Sequence, residues 1–260
     1  MEFYTALTIG VLGLCFGSFL NVLIYRLPLD KPWAASRSVC PTCGKQLRWF
    51  HNIPLLSYAF LRGRCGFCKS RISIRYPLVE LANSSLYLYF YWQFGLIEQF
   101  FVFAFLSSVL LAIFFIDLEH QIIPDIFTLP GIGIGLAVSF IPEGITPVQS
   151  LLGILVGGGS LYAVAMLGDW LFKKESMGGG DIKMVAMLGA FLGWQKVLFI
   201  FIAGAAIGLL GSILMLIISA KLRKERLIPF GPFLAMAAIV AIVYGDRIIY
   251  WYMSNFLNIH

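Results

Sequence analysis

Two aspartates and four cysteines are the residues of this chain whose types and positions could do chemistry. Asp117 ends a run of eighteen uncharged residues, and Asp181 follows Gly178-Gly179-Gly180 and precedes Ile182-Lys183. An ionisable group at the edge of an apolar segment is costly and is a functional candidate by default. Two carboxylates held close together cannot both ionise, so they share a proton; one can then activate water while the other polarises a carbonyl. That is the chemistry of an aspartyl peptidase. The three glycines would let a substrate strand approach the backbone closely. Other roles stay open at this level. Asp181 could cap a helix, Asp117 could pair with Lys183, Asp125 after Pro124 suits a helix cap, and Glu119 and His120 suit a solvated connection.

The cysteines form two pairs, Cys40-Pro-Thr-Cys43 and Cys65-Gly-Phe-Cys68, with Cys15 apart from them. Two-residue spacing aims both thiolates of a pair at one ion, and four thiolates close a tetrahedral zinc site with no coordination position left for catalysis. Gly44 and Gly66 suggest the permissive backbone of such knuckles. Disulfides are the alternative, disfavoured if the segment faces a reducing compartment. Cys15, within an apolar run, reads as an inert core residue.

The elements that must position these groups follow from composition. Of 260 residues, 60% are hydrophobic and only 12% charged, about half the charge of a soluble domain. Uncharged stretches run over 3–25, 81–97, 99–116, 126–142, 144–168, 184–195, 197–220 and 227–245. Most suit a helix crossing a hydrocarbon core about 30 Å thick, and the 184–195 stretch is short. The expected fold is an all-α polytopic membrane protein of about eight transmembrane helices. Cytoplasmic segments collect Lys and Arg, and ten of them lie in 26–75. With that loop inside and all eight stretches crossing, 17 of the 19 basic residues share one face, leaving only Lys196 and Arg247 opposite. Both termini are then expected outside, and both aspartates at the cytoplasmic face. The apolar start shows no basic leading region or cleavage site, so no removed signal peptide is expected. The net charge of +6 is thus an orientation signal; Arg62, Arg64, Lys69, Arg71 and Arg75 need no nucleic acid to explain them. The division expected is 1–25 as a first transmembrane helix, 26–80 as a cytoplasmic zinc-binding domain, and 81–260 as a transmembrane domain carrying the aspartates. The spacings Gly13/Gly17, Gly153/Gly157 and Gly204/Gly208 suit close helix packing.

Several motifs together resemble one family. Gly178-Gly179-Gly180-Asp181 matches the Gly-x-Gly-Asp pattern of intramembrane aspartyl proteases. The run 16–28 (Phe-Gly-Ser-Phe-Leu-Asn-Val-Leu-Ile-Tyr-Arg-Leu-Pro), the paired knuckles, 75–80 (Arg-Tyr-Pro-Leu-Val-Glu), 117–125 (Asp-Leu-Glu-His-Gln-Ile-Ile-Pro-Asp) and 230–234 (Phe-Gly-Pro-Phe-Leu) complete the set. In this order they resemble the type IV prepilin peptidases of bacteria, bifunctional leader peptidase/N-methyltransferases. Gly179 stands where the family usually has Met. The residue before the first aspartate is Ile116, not the Tyr usual in the presenilin-type branch. The resemblance implies Asp117 and Asp181 as the catalytic pair and prepilins or pseudopilins as substrates. It implies removal of a basic leader at the cytoplasmic face of the bacterial cytoplasmic (inner) membrane, then methylation of the new N-terminus by S-adenosylmethionine. Glu80, Glu119 and Asp125 are conjectured to receive the leader. No Gly-rich nucleotide loop is visible, so the methyl-transfer region falls by resemblance to the first cytoplasmic domain, with Ser18, Asn21 and Glu80 as candidates beside it. Membrane lipid is the expected environment. Two other classes compete with this reading: a proton or cation transporter, which would hold its ionisable groups nearer the bilayer midplane, and a non-enzymatic scaffold held by its zinc loop.

Overall fold

The apolar runs fold as helices throughout a computed structural model that describes residues 2–32, 37–142, 144–173, 177–218 and 229–256. In order these are α1 (Glu2–Arg26), α2 (Leu56–Phe60), α3 (Arg75–Phe94), α4 (Glu98–His120), α5 (Asp125–Val138), α6 (Pro147–Phe172), α7 (Gly179–Ile218) and α8 (Gly231–Phe256), with short 3-10 turns at Leu27–Leu29 and Trp49–Asn52. Extended pairing among the described residues is limited to two isolated antiparallel bridges, Val39 with Gln46 and Arg64 with Arg71. Five helices, α1, α4, α6, α7 and α8, are long and apolar enough to cross a membrane. The shorter α5 and the more polar α3, with Arg75, Glu80 and Asn83, are not among them. The basic cluster Lys221, Arg223, Lys224 and Arg226, and Lys174, lie outside the described residues.

Two compact units divide the chain, Met1–Ala112 and Ile113–His260. In the first, α1 and α3 run antiparallel at backbone contact. A Cβ on Gly13 would lie 2.6 Å from Ser84 Cα, and one on Gly17 2.7 Å from Glu80 Cα. That proximity lets Asn83 Nδ2 donate to the Gly13 carbonyl and the Ser84 hydroxyl to the Gly10 carbonyl, both at 2.8 Å. The Ser108 hydroxyl of α4 donates to Asn83 Oδ1 at 2.8 Å and meets the Tyr87 hydroxyl at 3.1 Å. Where lipid removes the hydrophobic drive between helices, small residues and such polar links are what hold them together.

In the second unit a Cβ on Gly153 would overlap the Gly189 carbonyl, and α6 and α7 meet there backbone to backbone. The Ser150 hydroxyl donates to the Ala190 carbonyl at 2.8 Å beside this contact. All three small-residue spacings therefore lie at helix contacts, since Gly204 and Gly208 face Leu234 and Phe233 of α8. The 40 residues of α7 would rise about 60 Å as one rod, twice a hydrocarbon core. Gly193 breaks it, with φ 77° and ψ 169°, a backbone that favours glycine. Before the break, Gly180 touches Ile123 and Gly189 touches Gly153; after it, Lys196 lies against Gly245, and Gly208 and Gly211 lie against Phe233. Gly231 touches the same Ile123 as Gly180, so the second arm of α7 returns to the level at which the first began. The sequence places this division at Lys196; the turn falls three residues earlier, at the residue that tolerates the dihedrals.

Other boundaries also shift. The first turns of α3 take in Arg75 and Glu80, ahead of the expected start at 81, and Gly95, at φ 71°, ends that helix. The last turn of α4 contains Asp117, Glu119 and His120, so the latter two are exposed helical residues and not part of a connection.

Candidate active site and metal centre

Asp117 sits in the last turn of α4 with 6% of its surface exposed. The amide of Gly231 donates a hydrogen bond to its carboxylate. Gly231 is the first residue of α8, so the positive end of that helix faces the acid. Only a glycine fits: a Cβ there would stand 2.5 Å from Asp117 Oδ2. Asp181, half-buried in the first turn of α7, interacts electrostatically with Asp117. Its Oδ1 is enclosed and has no hydrogen-bond partner. Gly180, pressed against Ile123 at 2.9 Å from where a Cβ would stand, sets how near this turn can come.

Two readings of neighbouring residues are corrected. Lys183 pairs with both carboxylate oxygens of Asp125 at 2.8 Å, and so is not the partner of Asp117. Asp125 is not the cap of α5 either; Pro124 occupies that position without a side-chain cap, and Asp125 is the first helical residue. Its charge favours the helix start through the dipole and ties α5 to α7. The pairing also engages one of the three acids conjectured to receive a basic leader. Gly231 was legible only as part of a motif, with no role attached.

In the first unit the four sulfurs of Cys40, Cys43, Cys65 and Cys68 lie within 4.8 Å of one another and could hold a metal ion. Cys40 Sγ and Cys68 Sγ are 3.9 Å apart, far beyond a disulfide and near the edge of about 3.8 Å that a tetrahedron with Zn–S of 2.3 Å requires. The two knuckles are built alike. Gly44 N donates to Cys40 O and Cys40 N to Lys45 O; Lys69 N donates to Cys65 O and Cys65 N to Ser70 O. Each needs a positive φ just after its second cysteine, 67° at Gly44 and 60° at Lys69. Gly66 therefore does not serve the turn as Gly44 does; it lies against His51 Nε2. Burial works against ionising Cys40, but the Cys43 and Thr42 amides outweigh it and bring that thiol down to about 6. A Lys45 amide favours the Cys43 thiolate, yet partial burial and the Cys40 and Cys68 sulfurs push this thiol up to about 11. Sulfurs this close oppose one another's ionisation, which a bound cation would relieve. Cys15 stands apart and is exposed on α1, so it is not the core residue expected.

Ser18, Asn21 and Glu80 are also brought together. The Ser18 hydroxyl donates to Glu80, and Glu80 Oε2 accepts from Leu55 N at 2.8 Å. Leu55 has φ 57° and ψ −49°, and Leu56 N donates back to Pro54 O at 2.6 Å; this tight three-residue turn is strained for a leucine. Glu80 anchors it. Asn21 Nδ2 donates to Tyr76 O at 3.0 Å while its buried Oδ1 has no partner.

Helices fit to cross a membrane, an interacting pair of acids at two helix ends and a tetrathiol cluster define the class: a helical membrane protein with a carboxylate site and a cysteine cluster that could hold a metal ion. The family model for the bacterial peptidase A24 N-terminal domain matches residues 11–94, and that of the type IV leader peptidase family matches residues 104–214. The chain belongs to the type IV leader peptidase family. It is 38% identical to a prepilin leader peptidase/N-methyltransferase of Pseudomonas putida, over 94% of this chain and 91% of the relative. A Pseudomonas aeruginosa protein of the same name is also 38% identical, over 94% and 92%. One from Legionella pneumophila is 36% identical, over 96% and 95%. No solved structure matches the chain.

Proposed function

We propose that this chain is a bifunctional prepilin leader peptidase and N-methyltransferase of the bacterial cytoplasmic membrane, and that its peptidase works by an aspartyl mechanism. The observation that carries the peptidase is that Gly231, packed on the Asp117 carboxylate, and Gly180, beside Asp181, both close on Ile123, so the two acids share one site in which Asp181 Oδ1 is left without a partner. One carboxylate takes a proton from water, which attacks the scissile carbonyl; the other donates to the carbonyl oxygen, and the proton then passes to the leaving amine. The Gly231 amide holds Asp117 in place through these steps. Substrates are prepilins, as the names of the relatives suggest, or pseudopilins, as the motif resemblance implies.

The topology proposed has eight crossings, counting α3, α5 and the two arms of α7, with the loop, both aspartates and 17 of the 19 basic residues on the cytoplasmic side and both termini outside. The proposed domains are 1–25, 26–80 and 81–260. The metal held by the four cysteines is zinc, in a structural role. When bound, S-adenosylmethionine supplies a methyl group to the new N-terminus. Ser18, Asn21 and Glu80 shape that region: Glu80 fixes the turn at Leu55, and Asn21 Oδ1 is the acceptor left over.

The test is mass spectrometry of a synthetic prepilin mixed with purified enzyme, with and without S-adenosylmethionine. Loss of the leader and gain of one methyl mass report the two activities separately; an inert enzyme would defeat the reading. In this assay Gly231→Ala is expected to slow leader removal at least tenfold, because its Cβ must displace the Asp117 carboxylate or the start of α8. Methylation of a peptide supplied already cleaved should hardly change. Wild-type cleavage by Gly231→Ala would show that this contact does not position the acid.

A further inference from the structure

The first unit contains a recess of about 580 Å³ whose lining includes none of the residues assigned to either proposed activity. Phe19, Val22 and Arg26 from the end of α1 form one side of it, and Arg37, Ser38, Leu47, Arg48, Trp49, Phe50 and Asn52 of the loop form the rest. Among the described residues, three guanidinium groups and no acidic side chain line it. Arg26 is buried and oriented by the carbonyls of Pro32 and Arg37, at 3.2 and 3.3 Å. Arg48 lies over the Phe50 ring at 5.9 Å. Trp49 is 79% exposed, and Phe19 and Phe50 are partly so.

The occupant follows from this chemistry. A lining whose only charged side chains are cationic selects an anion, and guanidinium forks match phosphate oxygens best. Apolar side chains beside the cations mean that the anion carries a hydrocarbon part. The recess sits where a helix fit to cross the membrane meets the polar loop, the depth of lipid headgroups, and an exposed tryptophan belongs at that depth. S-adenosylmethionine fits poorly, since its sulfonium and ammonium would find no acid here.

We propose that this recess binds the phosphate headgroup of an anionic phospholipid, with Arg26, Arg37 and Arg48 on the phosphate and Trp49 and Phe19 against the glycerol and upper acyl chain. A row of rings links the site to the metal centre: Trp49 to Phe50 at 5.8 Å, Phe50 to His51 at 4.5 Å, and His51 to Phe67 at 5.4 Å, between Cys65 and Cys68. The metal knuckle thus supports the lipid site through packed side chains.

The test is native mass spectrometry of the full chain, released from detergent after equilibration with phosphatidylglycerol or phosphatidylcholine. The wild type should retain one phosphatidylglycerol in preference to phosphatidylcholine. The exposed pair Arg37→Ala/Arg48→Ala should lower that retention at least tenfold. Arg62→Ala/Arg64→Ala, the same loss of charge away from the recess, should leave it within twofold. Equal losses from both double variants would reduce the effect to general charge and overturn the site. So would displacement of the lipid by S-adenosylmethionine or by inorganic phosphate, each of which assigns the recess to a soluble ligand. Because leader removal and methylation are scored separately, failure here leaves the proposed activities standing.

Discussion

Asp117→Asn and Asp181→Asn will each lower leader removal on the order of a thousandfold or more while leaving the chain inserted and folded. Asparagine keeps the size and one carbonyl oxygen of the acid. At position 117 that oxygen still accepts the Gly231 amide, so the start of α8 need not move. What asparagine cannot do is take a proton from water or deliver one to a carbonyl. If the two acids act as one unit sharing a proton, the double variant will be scarcely slower than either single one, because the second change removes a partner that has already lost its function. The measurement is the rate of leader loss for both singles and the double, beside a thermal melt in the same detergent. Multiplying defects would mean that the residues act independently, and normal processing by either single variant would end the assignment. Methylation of a peptide supplied without its leader should persist in all three, which separates a lost reaction from a lost fold.

How far the sequence carried this site depends on what kind of information each contact uses. Asp117 and Asp181 stand out because a charge at the end of an apolar run is visible one residue at a time. The partners of those acids are not visible in that way. The sequence offers Asp117 as a partner for Lys183, and spacing alone gives no reason to prefer Asp125. The structure pairs Lys183 with Asp125, because α5 and the first arm of α7 run side by side from Ile123 and Gly180 onward. Gly231 was equally hidden, since its contribution is a backbone amide and the space left by a missing Cβ.

The same distinction explains the helix boundaries and the knuckles. Hydropathy locates a run by where charges interrupt it, so the second arm of α7 seemed to begin after Lys196, although backbone geometry turns the chain at Gly193. Composition likewise gave each knuckle a glycine, Gly44 and Gly66. The equivalent turn position is set by the hydrogen bonds after the second cysteine, and in the second knuckle Lys69 occupies it. The loop's aromatic residues carried no periodic signal at all. Their meaning came only from seeing which rings touch between Trp49 and Phe67.

Removing the tetrathiol site should have the second large effect, and the reason is visible in what the loop lacks. Among the described residues between 27 and 74, the only buried apolar side chains are Cys40 and Cys65, while Trp49, Leu56 and Phe60 are exposed by more than half. A segment with no core of its own cannot offset the entropy of ordering by burial, so a bound metal must contribute the stabilisation. Cys40→Ser/Cys65→Ser takes one ligand from each knuckle. It should reduce metal from about one zinc per chain to background by elemental mass spectrometry, and open the loop to protease. Methyl transfer should fall at least a hundredfold, because Glu80 then has no ordered Leu55 turn to hold. Leader removal should fall less than tenfold, since Asp117, Asp181 and Gly231 all belong to the other compact unit. Chelating the metal from the wild-type protein should reproduce the same split, and zinc should restore methylation to that sample but not to the variant. Undiminished metal in the variant would sink the four-thiolate site; equal losses of both activities would mean that the loop also serves the peptidase.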